Sequence, residues 1–212
     1  MNKAIIVSVV LVTLLTLGVA YNKLSKSGIS SVSDSNSQIF LTPNNTVSVT
    51  ADEYHQNPNV NDTSYKSGEW TSNNSETYAS LIKIDVPQLK NASKVTLHLK
   101  LSAYHNKDIF SKNKSGTCSI AKNFVIKKIT SSWEPGESTY NIIQGLQKNG
   151  KKIGNFTINP SPEIGTYISI EIPATDLNSS SGFTIDQTDS SPCRVSFYGH
   201  TSDPSNQPYI TF

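Results

Sequence analysis

Two carboxylates, Glu134 and Glu137, stand three residues apart on either side of a Pro-Gly turn. A pair of carboxylates that flanks a glycosidic bond can supply the acid and base of a glycosidase. Charged residues beside such a turn, however, normally point into solvent. The chain also has no Gly-x-Ser-x-Gly motif and no Cys–His signature of a nucleophilic hydrolase. We therefore expect no catalytic residues and no enzymatic activity.

Metal binding has equally little support, because the four histidines show no ligand spacing such as His-x-His. Asp52 and Asp203 could share a calcium ion, but neither stands in an Asp-rich loop. We therefore expect no metal ligands and no cofactor. The histidines are His55, His98, His105 and His200.

The two cysteines, Cys118 and Cys193, are expected to form one disulfide bond. An even number of cysteines in an exported domain most simply pairs. The alternative, two reactive or metal-binding thiols, would need a neighbouring histidine or an activating cluster, and neither cysteine has one nearby in sequence.

The first twenty residues read as an export signal. Lys3 is the only charge before the apolar run 4–17, and Gly18-Val19-Ala20 offers a small-residue cleavage site. This layout is typical of a secretory signal peptide cleaved after Ala20. An uncleaved membrane anchor or a type IV pilin-like processing site remains open, and each of the three places the domain outside the cell or on its surface.

Seven Asn-x-Ser/Thr triplets are candidate N-glycosylation sites and add a further indication of export. If the host modifies them, they mark solvent-facing turns and strand faces. They begin at Asn44, Asn61, Asn73, Asn91, Asn113, Asn155 and Asn178.

The charge pattern argues against nucleic acid as a partner. The net charge is +2, and the 18 basic residues include a single arginine, Arg194. Phosphate recognition usually depends on clustered basic residues in which arginine is prominent.

An alternating apolar pattern dominates the chain after residue 46. Val95, Leu97, Leu99 and Leu101 alternate with polar residues, which predicts a strand with one buried face. About nine such strands, separated by Gly, Pro and Asn turns, predict a single all-β sandwich over residues 46–212, with a jelly roll as the topology. One short helix is expected at 141–148.

Three segments in the same order resemble the DNRLRE-type jelly-roll domain of secreted bacterial and archaeal proteins. They are 49–54 (VTADEY), 78–86 (YASLIKIDV) with the following strand 94–101, and 129–141 (ITSSWEPGESTYN), whose motif residues are Trp133, Glu134, Gly136 and Tyr140. The inserted Pro135 and Ile84, which stands where an aromatic residue is usual, depart from the family pattern. The resemblance implies a jelly roll that binds carbohydrate or serves as a structural module, and it implies no catalysis.

A sugar-binding surface would need exposed aromatic rings that stack on pyranose faces. By the family pattern, the Trp133 side chain is expected to be buried beneath its turn. Trp70, in a polar loop with Tyr65 nearby, is the candidate sugar contact, and Tyr65 is a possible second contact.

The polar segment 21–45 precedes the domain and has two interpretations. It is a flexible spacer, or it is a donor strand that completes the sheet of another copy. As a donor strand it would insert alternate apolar residues, Ile39 and Leu41 among them, while Phe40 faces the other way. Repeated head to tail, such a contact builds a filament. The candidate donor residues are Ile29, Val32, Ile39, Phe40 and Leu41.

The layout of signal, tail and one sandwich resembles subunits of archaeal surface threads. We therefore expect a non-enzymatic extracellular subunit of a cell-surface filament, whose partners are further copies of itself. The alternative is a secreted carbohydrate-binding module with a polysaccharide as partner. Contact with a membrane is expected only through residues 1–20, if they are not cleaved.

Overall fold

The computed structural model of the chain describes residues 37–52, 59–61, 63–71, 75–106, 121–135, 140–159, 163–177, 182–189 and 193–212. The strands are β1 (Gln38–Phe40), β2 (Thr46–Asp52), β3 (Asn59–Val60), β4 (Ser64–Thr71), β5 (Ser75–Ile84), β6 (Lys94–Asn106), β7 (Lys122–Lys128), β8 (Lys151–Ile158), β9 (Tyr167–Pro173), β10 (Phe183–Gln187), β11 (Cys193–Tyr198) and β12 (Tyr209–Thr211). A 3₁₀ helix covers Pro87–Asn91, and the α-helices α1 and α2 cover Tyr140–Asn149 and Ala174–Leu177. In these ranges no helix is long and apolar enough to cross a membrane.

Eight strands pair as one long hairpin that folds back across itself. β7 pairs with β8, β6 with β9, β5 with β10, and β4 with β11, always antiparallel. β11 also pairs with β6, and β10 with β7. The resulting sheets have the orders β4–β11–β6–β9 and β5–β10–β7–β8. This nesting is the jelly-roll topology, so the predicted all-β sandwich is confirmed.

The remaining strands extend these two sheets. β2 pairs with β5 and carries the short β3 on its other side. Residues 101–106 of β6 pair with β11, and residues 96–98 pair with β12, so β12 continues along the line of β11. β1 pairs with β12.

The main core lies between the two sheets, and alternation along the strands builds it. All four apolar residues that define the predicted period in β6, from Val95 to Leu101, are at most 1% exposed. They meet Ile170 and Ile172 of β9 and the inward residues of β7 and β10. Each side chain of this size contributes roughly 1.5–3 kcal/mol when it is removed from water.

A smaller core lies where α1 packs on the outer face of the second sheet. Ile143 and Tyr140 of α1 contact β2 and β5, where Ala51 and Ala79 are register partners. Two small residues opposite each other allow the helix to approach the sheet closely. The predicted helix therefore exists, and this contact explains its position.

Two expectations about where the strands lie need correction. The segment around Trp70, expected to be a loop, is the strand β4. Its first half pairs with β11 and its second half, from Gly68, pairs with β5, so β4 crosses from one sheet to the other. The polar composition of β4 concealed the strand, although Tyr65 in its first half is buried in the main core. The sandwich also begins at Gln38, ahead of the expected start near Thr46.

Candidate functional site

The edge formed by β1 and β12 is the place where the predicted donor segment meets the sandwich. Ser37 and Phe212 exchange both backbone hydrogen bonds, with N···O distances of 3.0 and 3.2 Å. The Leu41 N–H donates to the Pro208 carbonyl at 2.8 Å. Between these bonds the three residues of β1 have register partners in β12. The ladder is complete, and in this structure both strands belong to one chain.

The side chains of this segment alternate in the way a donor strand requires. Leu41 is fully buried in the main core, and Ile39 is half-buried against it. Phe40 points the other way and is 45% exposed. The anchoring depends on Leu41, because burial of one leucine side chain is worth roughly 1.5–3 kcal/mol. Ile29 and Val32, the other candidate donor residues, lie outside the described residues.

Asn45 holds the connection between β1 and β2. Its side-chain amide donates to the Phe40 carbonyl at 3.0 Å, and its side-chain oxygen accepts the Thr42 N–H at 2.8 Å. Its own carbonyl accepts the Asp85 N–H at 2.7 Å. Asparagine commonly stabilises turns through such local bonds. These bonds fix the turn that joins β1 to β2.

Phe40 belongs to a row of rings on the outer face of the first sheet. Its ring centroid lies 5.8 Å from that of Tyr209 in β12. The His98 ring of β6 stacks on Tyr209 at 4.2 Å, and Tyr167 of β9 meets the same tyrosine edge-on at 5.2 Å. β1 thus adds a ring to a surface otherwise built by three other strands.

His98 ties β12 to its neighbours on this face. Its Nδ1 lies 2.9 Å from the Ser169 hydroxyl, and its Nε2 lies 3.1 Å from the Thr211 hydroxyl. Partial burial lowers the pKa of His98. The imidazole is therefore neutral near pH 7 and bridges β9, β6 and β12.

Tyr65 and His200 form a buried pair below the connection between β11 and β12. The Tyr65 hydroxyl lies 2.9 Å from His200 Nδ1 and accepts the His200 backbone N–H at 3.2 Å. Burial raises the pKa of Tyr65 and lowers the pKa of His200 to about 4. His200 Nε2 is buried without a hydrogen-bond partner. The pair fixes the connection that delivers β12 to β6, and no substrate can reach two side chains this deeply buried.

Comparison with known proteins gives no family assignment. The sequence matches no protein-family model, and it matches no curated protein. The resemblance to DNRLRE-type domains therefore stays an expectation.

The two candidate sugar contacts, Tyr65 and Trp70, both lie in β4. Tyr65 is 1% exposed because it faces the main core, so it cannot contact a sugar. That expectation for Tyr65 is wrong, and the reason is the inward register of β4. The backbone of Trp70 is paired with Glu76 of β5.

The family-motif residues surround the start of α1. Trp133 is 6% exposed and packs in the smaller core, with Lys83 Nζ 6.0 Å from its ring centre. Tyr140 is buried in the same cluster, and its hydroxyl accepts a hydrogen bond from the Gln144 amide at 2.5 Å. Glu134 is exposed. Gly136 lies outside the described residues.

The predicted disulfide lies partly outside the described residues, because Cys118 falls between the ranges. Cys193 opens β11, and its backbone is the register partner of Asn106 at the end of β6. The pairing of the two cysteines stays a prediction.

Four of the candidate glycosylation sites fall in the described ranges, and all four asparagines are exposed. Asn44 follows β1, Asn61 follows β3 with a φ of 53°, Asn91 ends the 3₁₀ helix, and Asn155 lies in β8. Each position is accessible to a glycan. The other three, Asn73, Asn113 and Asn178, lie outside the described residues.

In the described ranges no group of three or more His, Cys, Asp or Glu side chains is placed to hold a metal ion.

Proposed function

We propose that this protein is a non-enzymatic extracellular structural subunit whose copies join by exchanging β1. The segment that ends at Leu41 would leave its own sandwich and pair with β12 of the next copy. The observation that carries the proposal is the β1–β12 ladder, in which a three-residue strand at the sheet edge is followed directly by the fully buried Leu41.

The energetics make the exchange feasible. The contacts between β1 and β12 are the same whether the two strands belong to one chain or to two, so the ladder itself favours neither arrangement. The balance depends on the hinge and on the protein concentration. The hinge is the Asn45 turn, whose bonds to Phe40 and Thr42 must open when β1 leaves.

The geometry of the exchange favours a filament. β1 is the first strand of the sandwich and β12 is its last, so the donating and accepting surfaces of one copy are different. A contact between different surfaces is head-to-tail, and it propagates unless the rotation between copies closes a ring.

The test uses two variants that each add one cysteine, Gln38→Cys and Thr211→Cys, mixed during refolding. Gln38 and Thr211 are register partners. This pair lies next to the hydrogen-bonded pair of Ser37 and Phe212. Hydrogen-bonded and non-hydrogen-bonded pairs alternate along an antiparallel ladder, so Gln38 and Thr211 form a non-hydrogen-bonded pair, in which the Cα atoms are about 4.5 Å apart. This spacing suits a disulfide. Peptide mass spectrometry identifies the 38–211 bond separately from any bond of the two native cysteines.

We expect the mixture to give a 38–211 disulfide between two chains. The matched control is a mixture of Thr96→Cys and Glu171→Cys. Thr96 and Glu171 are register partners in β6 and β9, two strands that the proposal does not exchange. This control should give no bond between chains. A second control is the chain that carries both Gln38→Cys and Thr211→Cys. If the 38–211 bond forms only in that chain, within one monomer, and not between chains in the mixture, the proposed exchange is wrong.

A further inference from the structure

The connection between β11 and β12, residues 199–208, is fastened to the sandwich by the fully buried side chain of His200. The Tyr65 hydroxyl oxygen of β4 accepts the His200 backbone N–H at 3.2 Å. Among the described residues, His200 Nδ1 at 2.9 Å is the acceptor that the hydroxyl proton reaches. This hydrogen-bond network therefore assigns the proton of the neutral ring to Nε2. We call the contact between the His200 ring and the Tyr65 hydroxyl the latch.

Protonation of the His200 ring reverses the bond on which the latch depends. A protonated imidazole is a donor at both nitrogens. The Tyr65 O–H would then lose its acceptor and would face an N–H at Nδ1 instead. A buried donor that has lost its partner is costly, and so is a buried charge without a counter-ion. The charged ring is therefore expelled from this position.

The titratable groups around the connection offer the charged ring no counter-ion. Tyr65 of β4 contacts the ring itself. Lys100 of β6 and Tyr167 of β9 each donate a hydrogen bond to a carbonyl of the connection, at 2.9 and 3.2 Å. Asp203 of the connection is exposed. In the described ranges no carboxylate is ion-paired with His200.

The same connection holds the last bond of the β1–β12 ladder. The Gln207 side-chain amide donates to the His200 carbonyl at 3.2 Å. The next residue, Pro208, is buried, and its carbonyl accepts the Leu41 N–H at 2.8 Å. When His200 moves, Gln207 loses its acceptor and the neighbouring Pro208 carbonyl is no longer held in place. The latch is thus linked to the anchor of β1 by a continuous set of contacts.

We propose that mild acid opens the latch and thereby releases the β1–β12 edge while the rest of the sandwich stays folded. This opening takes place within one copy. Its consequence for strand exchange rests on the proposed function. The latch is the same in a closed copy and in an exchanged pair, so acid changes how fast β1 moves between copies and does not shift the balance between the two arrangements.

The size of the effect follows from how much better the open state binds the proton. Burial holds the pKa of His200 at about 4, whereas a solvated imidazole has a pKa of about 6.5. Below pH 6.5 the open state is therefore the better proton acceptor, and acid favours it. Between pH 7 and pH 5 this linkage raises the population of the open state about twentyfold.

The test is amide hydrogen exchange of the full exported chain, followed by NMR at pH 7 and pH 5. Each rate is divided by that of an unstructured peptide at the same pH. The reporter is the Leu41 N–H, and the reference is the Ile129 N–H, which donates to the Gly182 carbonyl at 2.8 Å. The variant His200→Asn removes the titration. The matched control is His98→Asn, which removes another imidazole that bonds to β12.

We expect the protection of the Leu41 N–H to fall about twentyfold from pH 7 to pH 5, and to stay below that of Ile129. In His200→Asn the fall should be less than about twofold, and in His98→Asn it should stay above about tenfold. An undiminished fall in His200→Asn overturns the latch. The unchanged protein alone can also overturn it, by showing no fall at Leu41 or equal protection at Leu41 and Ile129, since the domain would then open as a whole.

A second measurement separates the latch from strand exchange. Assemblies of unlabelled and isotopically labelled protein are mixed at pH 7 or pH 5, and native mass spectrometry follows the appearance of mixed pairs. Mixing should be about twentyfold faster at pH 5, and His200→Asn should remove the difference. An acid-sensitive Leu41 N–H without mixed pairs would support the latch and contradict the proposed function. Mixing at the same rate at both pH values would contradict the latch and support the exchange.

Discussion

Protonation of His200 should make the fold sensitive to mild acid. The imidazole is fully buried, and its pKa falls to about 4 because burial disfavours the charged ring. In the unfolded chain the pKa returns to about 6.5. The unfolded state therefore binds the proton more readily than the folded state between these two values. Stability is fully present above about pH 6.5 and is lost as the pH falls toward 4.

The size of the effect follows from the two pKa values. A pKa difference from 6.5 to about 4 limits the loss to about 3 kcal/mol, because one unit corresponds to about 1.4 kcal/mol. Between pH 7 and pH 4.5 the same linkage gives about 2 kcal/mol. This is a large part of the roughly 5–15 kcal/mol that stabilises a typical domain.

The assay is urea unfolding followed by tryptophan fluorescence at several pH values from 7 to 4.5. The matched variant is His200→Asn, whose amide can still meet the Tyr65 hydroxyl but does not titrate in this range. Its stability should be lower at pH 7 but should fall with pH by about 2 kcal/mol less than that of the unchanged protein. The comparison is needed because other groups titrate, including Asp186, whose pKa is raised by burial. Identical pH dependence in the two proteins would refute the reasoning.

Three further substitutions test how β1 and the turn before β10 are held. Leu41→Ala should lower the free energy of unfolding by about 3 kcal/mol, because it leaves a cavity in the main core, whereas Phe40→Ala, on the exposed side of β1, should cost less than about 1 kcal/mol. Equal losses in urea unfolding would mean that β1 is not docked as described. Gly182→Ala should be severely destabilising, since Gly182 has a φ of 86° and an added Cβ would lie 2.4 Å from the Ile82 carbonyl oxygen. A melting temperature within about 2 °C of the unchanged protein would contradict this.

The strands of the main core could be predicted because apolar and polar residues alternate along them, and this alternation marks the buried face. In β6 and β9 a period of two marks the buried face, and the structure places those residues between the sheets. β4 could not be predicted in this way. Its register turns Tyr65 inward, but its composition is polar, and pairing with β11 and β5 is what makes it a strand.

Local sequence alone determines the alternating faces of the strands, the helix before Gly150, and the alternation of Ile39, Phe40 and Leu41. These are short-range properties, because side-chain direction follows the local backbone. The tertiary structure alone decides which distant residues meet. Tyr65 and His200 are 135 positions apart, and they meet only because β4 pairs with β11. The register of that pairing is set by the burial of the whole core, so it cannot be read from either segment alone.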